Sequence, residues 1–377
     1  MTIGLERRRR SLRSTFDTVV GVILLVSAGL FTLVRLAHDS SFRRLETPMT
    51  SAYLRYEDVA ERSPRVVRFR SGKNTLTGYM FGEQNDKGLV VISHGLGFGA
   101  EDYLAEALYF VDKGWRVFAF DYTGTYASEG DSRIGLPQAV LDLDAALTYL
   151  EGEPGLRGLP VMLFGHSWGA YACTAVLNYG HDVKAVVSVS GFNSPMEMFN
   201  EEMKRLVGPL AFATYPFGWA YQAMLFGSAA GLTAVDGINK SDAAVMIVHG
   251  VADESVSYDG ASIIAQRDEI TNPNVVYRTC DAEGRNSHHN LLKSEVAVAY
   301  AAQASTVYTD LLNQYGGAVR DEAEALLYES LDRFWTSGLH EELFEEIGAF
   351  FDASIGQQNT ATTVSPTTLS AAVVERR

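Results

Sequence analysis

The sequence predicts an α/β fold, a mainly parallel central sheet with helices on both faces. Three observations carry that prediction. From about residue 66, short apolar runs bounded by glycine and polar residues alternate with segments of helical spacing. The runs are apolar throughout, as expected of strands buried on both faces. One of them, PVMLFGHSWG (160–169), passes through two glycines directly into the small residues AYACTAVL, a sharp strand-to-helix turn.

In order, VVRFRSG (66–72) and LTGYMFG (76–82) read as a hairpin entering the sheet and GLVVISHG (88–95) as a buried strand. Residues 101–113 have helical spacing through Tyr103, Leu104, Ala107, Leu108 and Val111, and WRVFAFDYTG (115–124) is the next strand. A helix over 137–150 places Val140, Leu141, Leu143, Ala146, Leu147 and Leu150 on one apolar face. The strand and helix around residue 167 follow, then strands VKAVVSVSGF (183–192), AAVMIVHG (243–250) and NVVYRTC (274–280).

Between residues 193 and 241 the alternation stops. This insert is rich in Met and aromatic residues and follows a strand's carboxyl end, where open α/β sheets bind ligands. A lid over an apolar pocket is expected there. Residues 319–352 read as an acidic amphipathic helical ending whose charges form a solvated face, and 353–377 as a disordered tail with too little apolar content to pack.

Composition and charge narrow the setting. The 377-residue chain is 47% apolar, enough for a substantial core, and carries a net charge of −15. That charge is unevenly placed: residues 1–44 hold eight arginines against three acids, a balance of +5 that leaves −20 for the remainder. So acidic a body argues against a nucleic-acid partner. Residues 18–34, TVVGVILLVSAGLFTLV, are uncharged and as a helix span about 26 Å, close to a bilayer's apolar core. Without a convincing cleavage site before Arg35, an uncleaved signal anchor is expected. Arg7 to Arg10 would keep the N-terminus cytoplasmic and place the domain over 45–352 outside the cell membrane, although Arg35, Arg43 and Arg44 weaken that bias. Two cysteines, Cys173 and Cys280, make no disulfide framework and read as buried thiols. Neither a C-x-x-C pair nor an H-E-x-x-H motif is present, so no metal site and no cofactor are expected.

The chemistry centres on Ser167 in Gly165-His166-Ser167-Trp168-Gly169. A serine between two glycines at such a turn can take strained dihedrals and project its hydroxyl as a nucleophile. It needs a base, and the base needs an orienting acid. Asp253, in HGVADESV after a strand, suits the acid, with adjacent Glu254 as its substitute. His288 and His289, in the loop after the next strand, supply the base. His288 is preferred because the small Ser287 before it permits a tight turn and Leu291 can start a helix. His94 and His249 read as loop-shaping residues and His166 as fixed beside the nucleophile, whereas His38, His181 and His340 lie in surface-like settings. An oxyanion would be met by the backbone amide of Trp168 and by Leu96 or Gly97 in SHGLGFG (93–99). The spacing there, G-x-G-x-G, departs from the dinucleotide fingerprint.

HGLG (94–97), FDYTGTYASEG (120–130), GHSWG (165–169), HGVADESV (249–256) and SHHNLL (287–292), in that order, resemble the α/β-hydrolase superfamily. Within it the resemblance is to the lipase, esterase and serine aminopeptidase-like branch that includes monoacylglycerol lipases, and it covers residues 66–351. It implies the α/β-hydrolase fold, places Asp121 in a structural turn, and supports His288 through the small residue before it. The chain departs from the branch in lacking the common glycine before that histidine and in its N-terminal anchor. The expectation is a serine hydrolase acting on fatty acyl esters or monoglycerides, with Phe98, Phe192, Phe199, Phe217 and Trp219 at the substrate. The alternatives are a peptidase or amidase acting on short peptides, with Glu201 and Glu202 holding an amine, and a non-catalytic binding protein at the membrane.

Overall fold

The computed structural model describes residues 2–315 and 321–356. Its centre is an eight-stranded sheet: β1 (Arg65–Ser71), β2 (Asn74–Phe81), β3 (Leu89–Ser93), β4 (Arg116–Phe120), β5 (Val161–His166), β6 (Val183–Val189), β7 (Ala244–Gly250) and β8 (Val275–Cys280). The order is β1-β2-β4-β3-β5-β6-β7-β8. Strand β2 runs antiparallel to both β1 and β4, and every pairing from β4 onward is parallel. The carboxyl ends of β3 to β8 therefore share one edge, where the loops carrying the chemistry emerge.

The continuous apolar runs are explained by two packed faces. Leu89, Val91, Phe118, Phe120 and Leu163 point into one core with α3 (Gln138–Gly152) and α4 (Trp168–Ala175). Their neighbours Val90, Ile92, Val117, Ala119 and Phe164 point into the other, with α2 (Leu104–Asp112). Each fully buried Phe or Leu contributes roughly 1.5–3 kcal/mol.

The N-terminal helix α1 (Thr2–Ser41) runs past residue 34, and its segment Thr15–Ser41 is long and apolar enough to cross a membrane. Leu24 and Leu25 stand exposed midway along it, whereas Val34 and His38 are buried near its end. The following residues are laced to the loop after β4. Arg44 donates to the carbonyls of Tyr126, Ser128 and Gly130, and Arg133 donates to those of Ser41 and Arg43.

The insert forms α5 (Pro195–Val207), α6 (Ala211–Phe226) and α7 (Ala234–Lys240). Ser194 caps α5 by accepting from the Glu197 amide, and α6 packs along α1. After β8 come α8 (Glu295–Gln314), α9 (Asp321–Ser330), α10 (Arg333–Thr336) and α11 (Glu341–Gly356). The acidic ending is thus three helices, and α11 continues through residues 353–356, which the sequence assigned to a disordered tail. Residues 357–377 of that tail lie outside the described residues. Leu343, Phe344, Ile347 and Phe351 form the stripe by which α11 closes the second face of the sheet.

Candidate active site

Ser167 joins β5 to α4 at φ 56° and ψ −116°, a strained conformation for a residue with a Cβ. Its neighbours must be glycine. A Cβ on Gly169 would lie 1.9 Å from the Ser93 carbonyl oxygen, and one on Gly165 would lie 2.3 Å from the Gly169 carbonyl oxygen. The Ser167 amide donates to the Val189 carbonyl at 2.8 Å, which ties the turn to β6. As the first residue of α4, Trp168 has an N–H with no acceptor inside the helix.

Three loops converge on this hydroxyl. The Ser167 Oγ lies 2.9 Å from His288 Nε2, and His288 Nδ1 lies 2.8 Å from both carboxylate oxygens of Asp253. These partners fix the tautomer: Nδ1 donates to Asp253 and Nε2 accepts from Ser167. Burial works against an ionised Asp253, but hydrogen bonds from His249, His288 and the Val256 amide outweigh it and hold the carboxyl far below the usual range. Glu254 takes another role, accepting from the His288 backbone amide at 3.2 Å. His289 turns away, its ring edge-on to Phe98 at 5.5 Å.

A second line of hydrogen bonds reaches His288 from behind. The Gly95 amide donates to the Tyr103 hydroxyl at 3.0 Å, Tyr103 donates to His166 Nδ1 at 2.7 Å, and His166 Nε2 donates to the His288 carbonyl at 3.0 Å. Burial, reinforced by the charge His288 would carry, keeps His166 neutral and its pKa well below normal. Nothing in the sequence marks Tyr103 for this role. His94 shapes the glycine loop, donating from Nδ1 to the Gly95 carbonyl and accepting the Tyr122 amide at Nε2, and burial holds its pKa at about 3. His166, His288 and His289 bring ligand atoms within 4.8 Å of one another. The nitrogens of the first two are already engaged, so a metal there would have to break the bond between Ser167 and His288.

Above Ser167 opens a cavity of about 570 Å³. Leu96, Phe192, Met198, Phe199 and Met203 line it beside Trp168 and His288. Of the five expected substrate residues only Phe192 and Phe199 do so. Phe98 packs against Tyr53, Tyr103 and His289, beside a separate small pocket. Phe217 and Trp219 are off the wall because α6 turns Thr214 and Gln222, two helical turns apart, toward the cavity. Its Phe212, Tyr215 and Trp219, at spacings of three and four, face outward and are exposed. His38, read as surface-like, is buried and lines the cavity with Leu33, Val34, Ala37, Ser41 and Phe42. His181 is also partnered, pairing with Asp144 and Glu151. Glu201 is committed elsewhere: it accepts from the Ser257 and Ala261 amides and pairs with Arg205, as Glu202 also does.

Residues 84–221 match the family model described as "Serine aminopeptidase, S33". The match contains the glycine loop and Ser167 and ends before Asp253 and His288. Among solved structures, the Pyrococcus furiosus esterase Pf2001 is similar at 17% identity and a TM-score of 0.51, covering 72% of this chain and 98% of that one. The alpha/beta hydrolase GrgF from Penicillium sp. sh18 is similar at 16% identity and a TM-score of 0.49, covering 64% of this chain and 96% of that one. No curated protein matches the sequence. With its sheet order and its sharp turn at Ser167, the chain has the α/β-hydrolase fold, and its residues 84–221 are similar to the serine aminopeptidase family.

Proposed function

We propose that this protein is a membrane-anchored serine hydrolase that cleaves carboxylic esters of fatty acyl chains. The observation that carries the reading is the continuous line from Asp253 through His288 to Ser167, at 2.8 and 2.9 Å, opening into an apolar cavity. Ser167 Oγ attacks the ester carbonyl while its proton passes to His288 Nε2. Asp253 steadies the resulting imidazolium. The oxyanion meets the amides of Trp168 and Leu96, each such donor lowering the barrier by roughly 3 kcal/mol. Leu96 borders the same cavity as Ser167. His288 then returns the proton to the departing alcohol, water attacks the acyl-serine by the reverse relay, and the fatty acid leaves. No cofactor enters this sequence of steps.

Esters are favoured over short peptides by the state of the carboxylates. Glu201 and Glu202, the acids that would hold a peptide's amine, are both paired with Arg205; Glu202 lines the cavity beside Met198, Phe199 and Met203, and Glu254, the other acid on the wall, accepts from the His288 amide. Helix α1 would anchor the protein by a single crossing, with Arg7 to Arg10 cytoplasmic and the hydrolase body outside.

Labelling with a fluorophosphonate probe tests the nucleophile. Wild type should label and Ser167→Ala should not, and equal labelling of both would refute the assignment. A series of p-nitrophenyl esters of increasing acyl length, run beside aminoacyl amides, tests the substrate: preference for the amides would overturn the ester reading. Protease treatment of intact cells should remove the catalytic domain, and full protection would place it in the cytoplasm.

A further inference from the structure

One wall of the cavity above Ser167 comes from α1. Leu33, Val34, Ala37, His38 and Ser41, at successive spacings of one, three, one and three, form a single stripe near the end of α1, and Phe42 completes it. These residues belong to the helix long and apolar enough to cross a membrane. Val34, His38 and Phe42 are buried, whereas Leu33 is 58% exposed and Ala37 is also open, so the stripe runs from floor to mouth. Across the mouth stands Leu206 of α5, also on the cavity wall and 71% exposed.

Two further observations point to a ligand along this wall. His38 and Gln222 are more than nine-tenths buried there, and although His38 Nδ1 faces the Asp39 carboxylate at 3.6 Å, His38 Nε2 and Gln222 Oε1 have no hydrogen-bond partner among the described residues. Unsatisfied polar groups on a buried surface cost free energy unless something else meets them. Beside the mouth, α6 lies along α1 through edge contacts of Tyr221 with Phe31 and His38, and turns Phe212, Tyr215 and Trp219 outward. Such an exposed face of large apolar and aromatic side chains suits a bilayer surface.

Resting on the serine hydrolase reading above, we infer that α1 forms part of the substrate site as well as the anchor: the cavity opens between α1 and the α5–α6 insert onto the bilayer, and the enzyme draws a single-chain acyl ester laterally out of the membrane that holds it. The outward face of α6 is the surface that dips into the leaflet. The ester's chain follows the stripe of α1 from Leu33 inward, and its carbonyl reaches Ser167 without passing through water.

The full chain in phospholipid vesicles tests this in two ways. A long-chain umbelliferyl ester is placed either in the vesicles that hold the enzyme or in separate ones; hydrolysis in the shared bilayer should be at least about tenfold faster, and equal rates would overturn lateral capture. The second test reads the ratio of kcat/KM for a long-chain ester to that for an acetyl ester. Ala37→Trp, which narrows the mouth, should lower the ratio by about tenfold or more, and Leu33→Ala, which widens it, should raise it by several-fold. Leu25→Trp, on the lipid-facing side of α1 away from the cavity, should behave as wild type. If Ala37→Trp does not fold, Leu33→Ala still decides the matter. Unchanged ratios in variants that label with fluorophosphonate would overturn the role of α1 and leave the hydrolase reading intact, whereas a wild type that does not label would overturn that reading itself.

Discussion

His166, adjacent to Ser167 in sequence, donates its Nε2 hydrogen to the backbone carbonyl of His288 at 3.0 Å, so the turn that carries the proposed nucleophile also holds the loop that carries its base. Tyr103 completes the support by donating to His166 Nδ1. Without that support the loop carrying the base can shift, and a misplacement of about 1 Å can cost roughly a hundredfold in rate. Tyr103→Phe and His166→Ala are expected to lower kcat by about tenfold or more with little change in KM, and His166→Gln, which keeps a donor, to recover part of the loss. Steady-state kinetics on a soluble p-nitrophenyl ester will read the split.

Asp253 and Glu254 are neighbours with separate duties, one holding the His288 ring and the other its backbone amide. Asp253→Asn is expected to reduce kcat by about 10⁴-fold, the effect of losing the correct imidazole tautomer, and Glu254→Gln by about tenfold or less. Because the native carboxyl of Asp253 ionises far below its ordinary pH, its stabilising contribution is present above the unfolded value and disappears as the solution becomes strongly acidic. The denaturation midpoint of Asp253→Asn should therefore fall below wild type at neutral pH, and the two should converge in strong acid.

The paired histidines separate cleanly by geometry. His288 lies between Ser167 and Asp253, while His289 packs edge-on to Phe98. His288→Ala should lose fluorophosphonate labelling and ester hydrolysis, and His289→Ala should keep both. The reverse pattern would move the base to His289.

Asp121 is fully buried and accepts from the Ala100 and Ala127 amides and from Tyr79, yet burial raises its pKa to about 7. A folded-state value above the unfolded one means that its contribution to stability is complete in mild acid and is lost as pH rises from about 4 through about 7. The thermal midpoint of wild type in detergent should decline over that interval, and Asp121→Asn should show a flatter profile. A decline of the same size in the variant would assign the effect to another group.

Gly169→Ala would drive a methyl group into the Ser93 carbonyl, where only backbone movement could make room. A destabilisation of more than about 3 kcal/mol is expected, together with loss of labelling at Ser167. Chemical denaturation beside wild type measures it.

The sheet and the turn at Ser167 were readable because each depends on local pattern. Runs such as Leu89 to Ile92 need neighbours on both faces, and Gly165 and Gly169 announce the close approach of backbones. The relay through Tyr103 was hidden because it joins residues far apart in the chain whose spacing has no period. The direction of the insert was hidden for a different reason. Helix α6, AFATYPFGWAYQAMLF, is apolar on all sides, so its composition identifies an apolar element without showing which face turns inward. Phe217 and Trp219 were assigned to the pocket on that composition, and the fold gives the place to Thr214 and Gln222. His38 was misread because the contact that buries it lies across α6, outside any local window.

The bonds that lock Ser41 to Leu45 onto the loop after β4 leave no slack between α1 and the body. A flexible leash would let the catalytic head tumble and sample every angle to the bilayer. If α1 crosses the bilayer as proposed, this rigid joint would permit rotation about the helix axis and little else, so one side of the head would always face the lipid. The search for substrate is then confined to a plane, and its pace would follow the fluidity of the membrane more than the viscosity of the surrounding water.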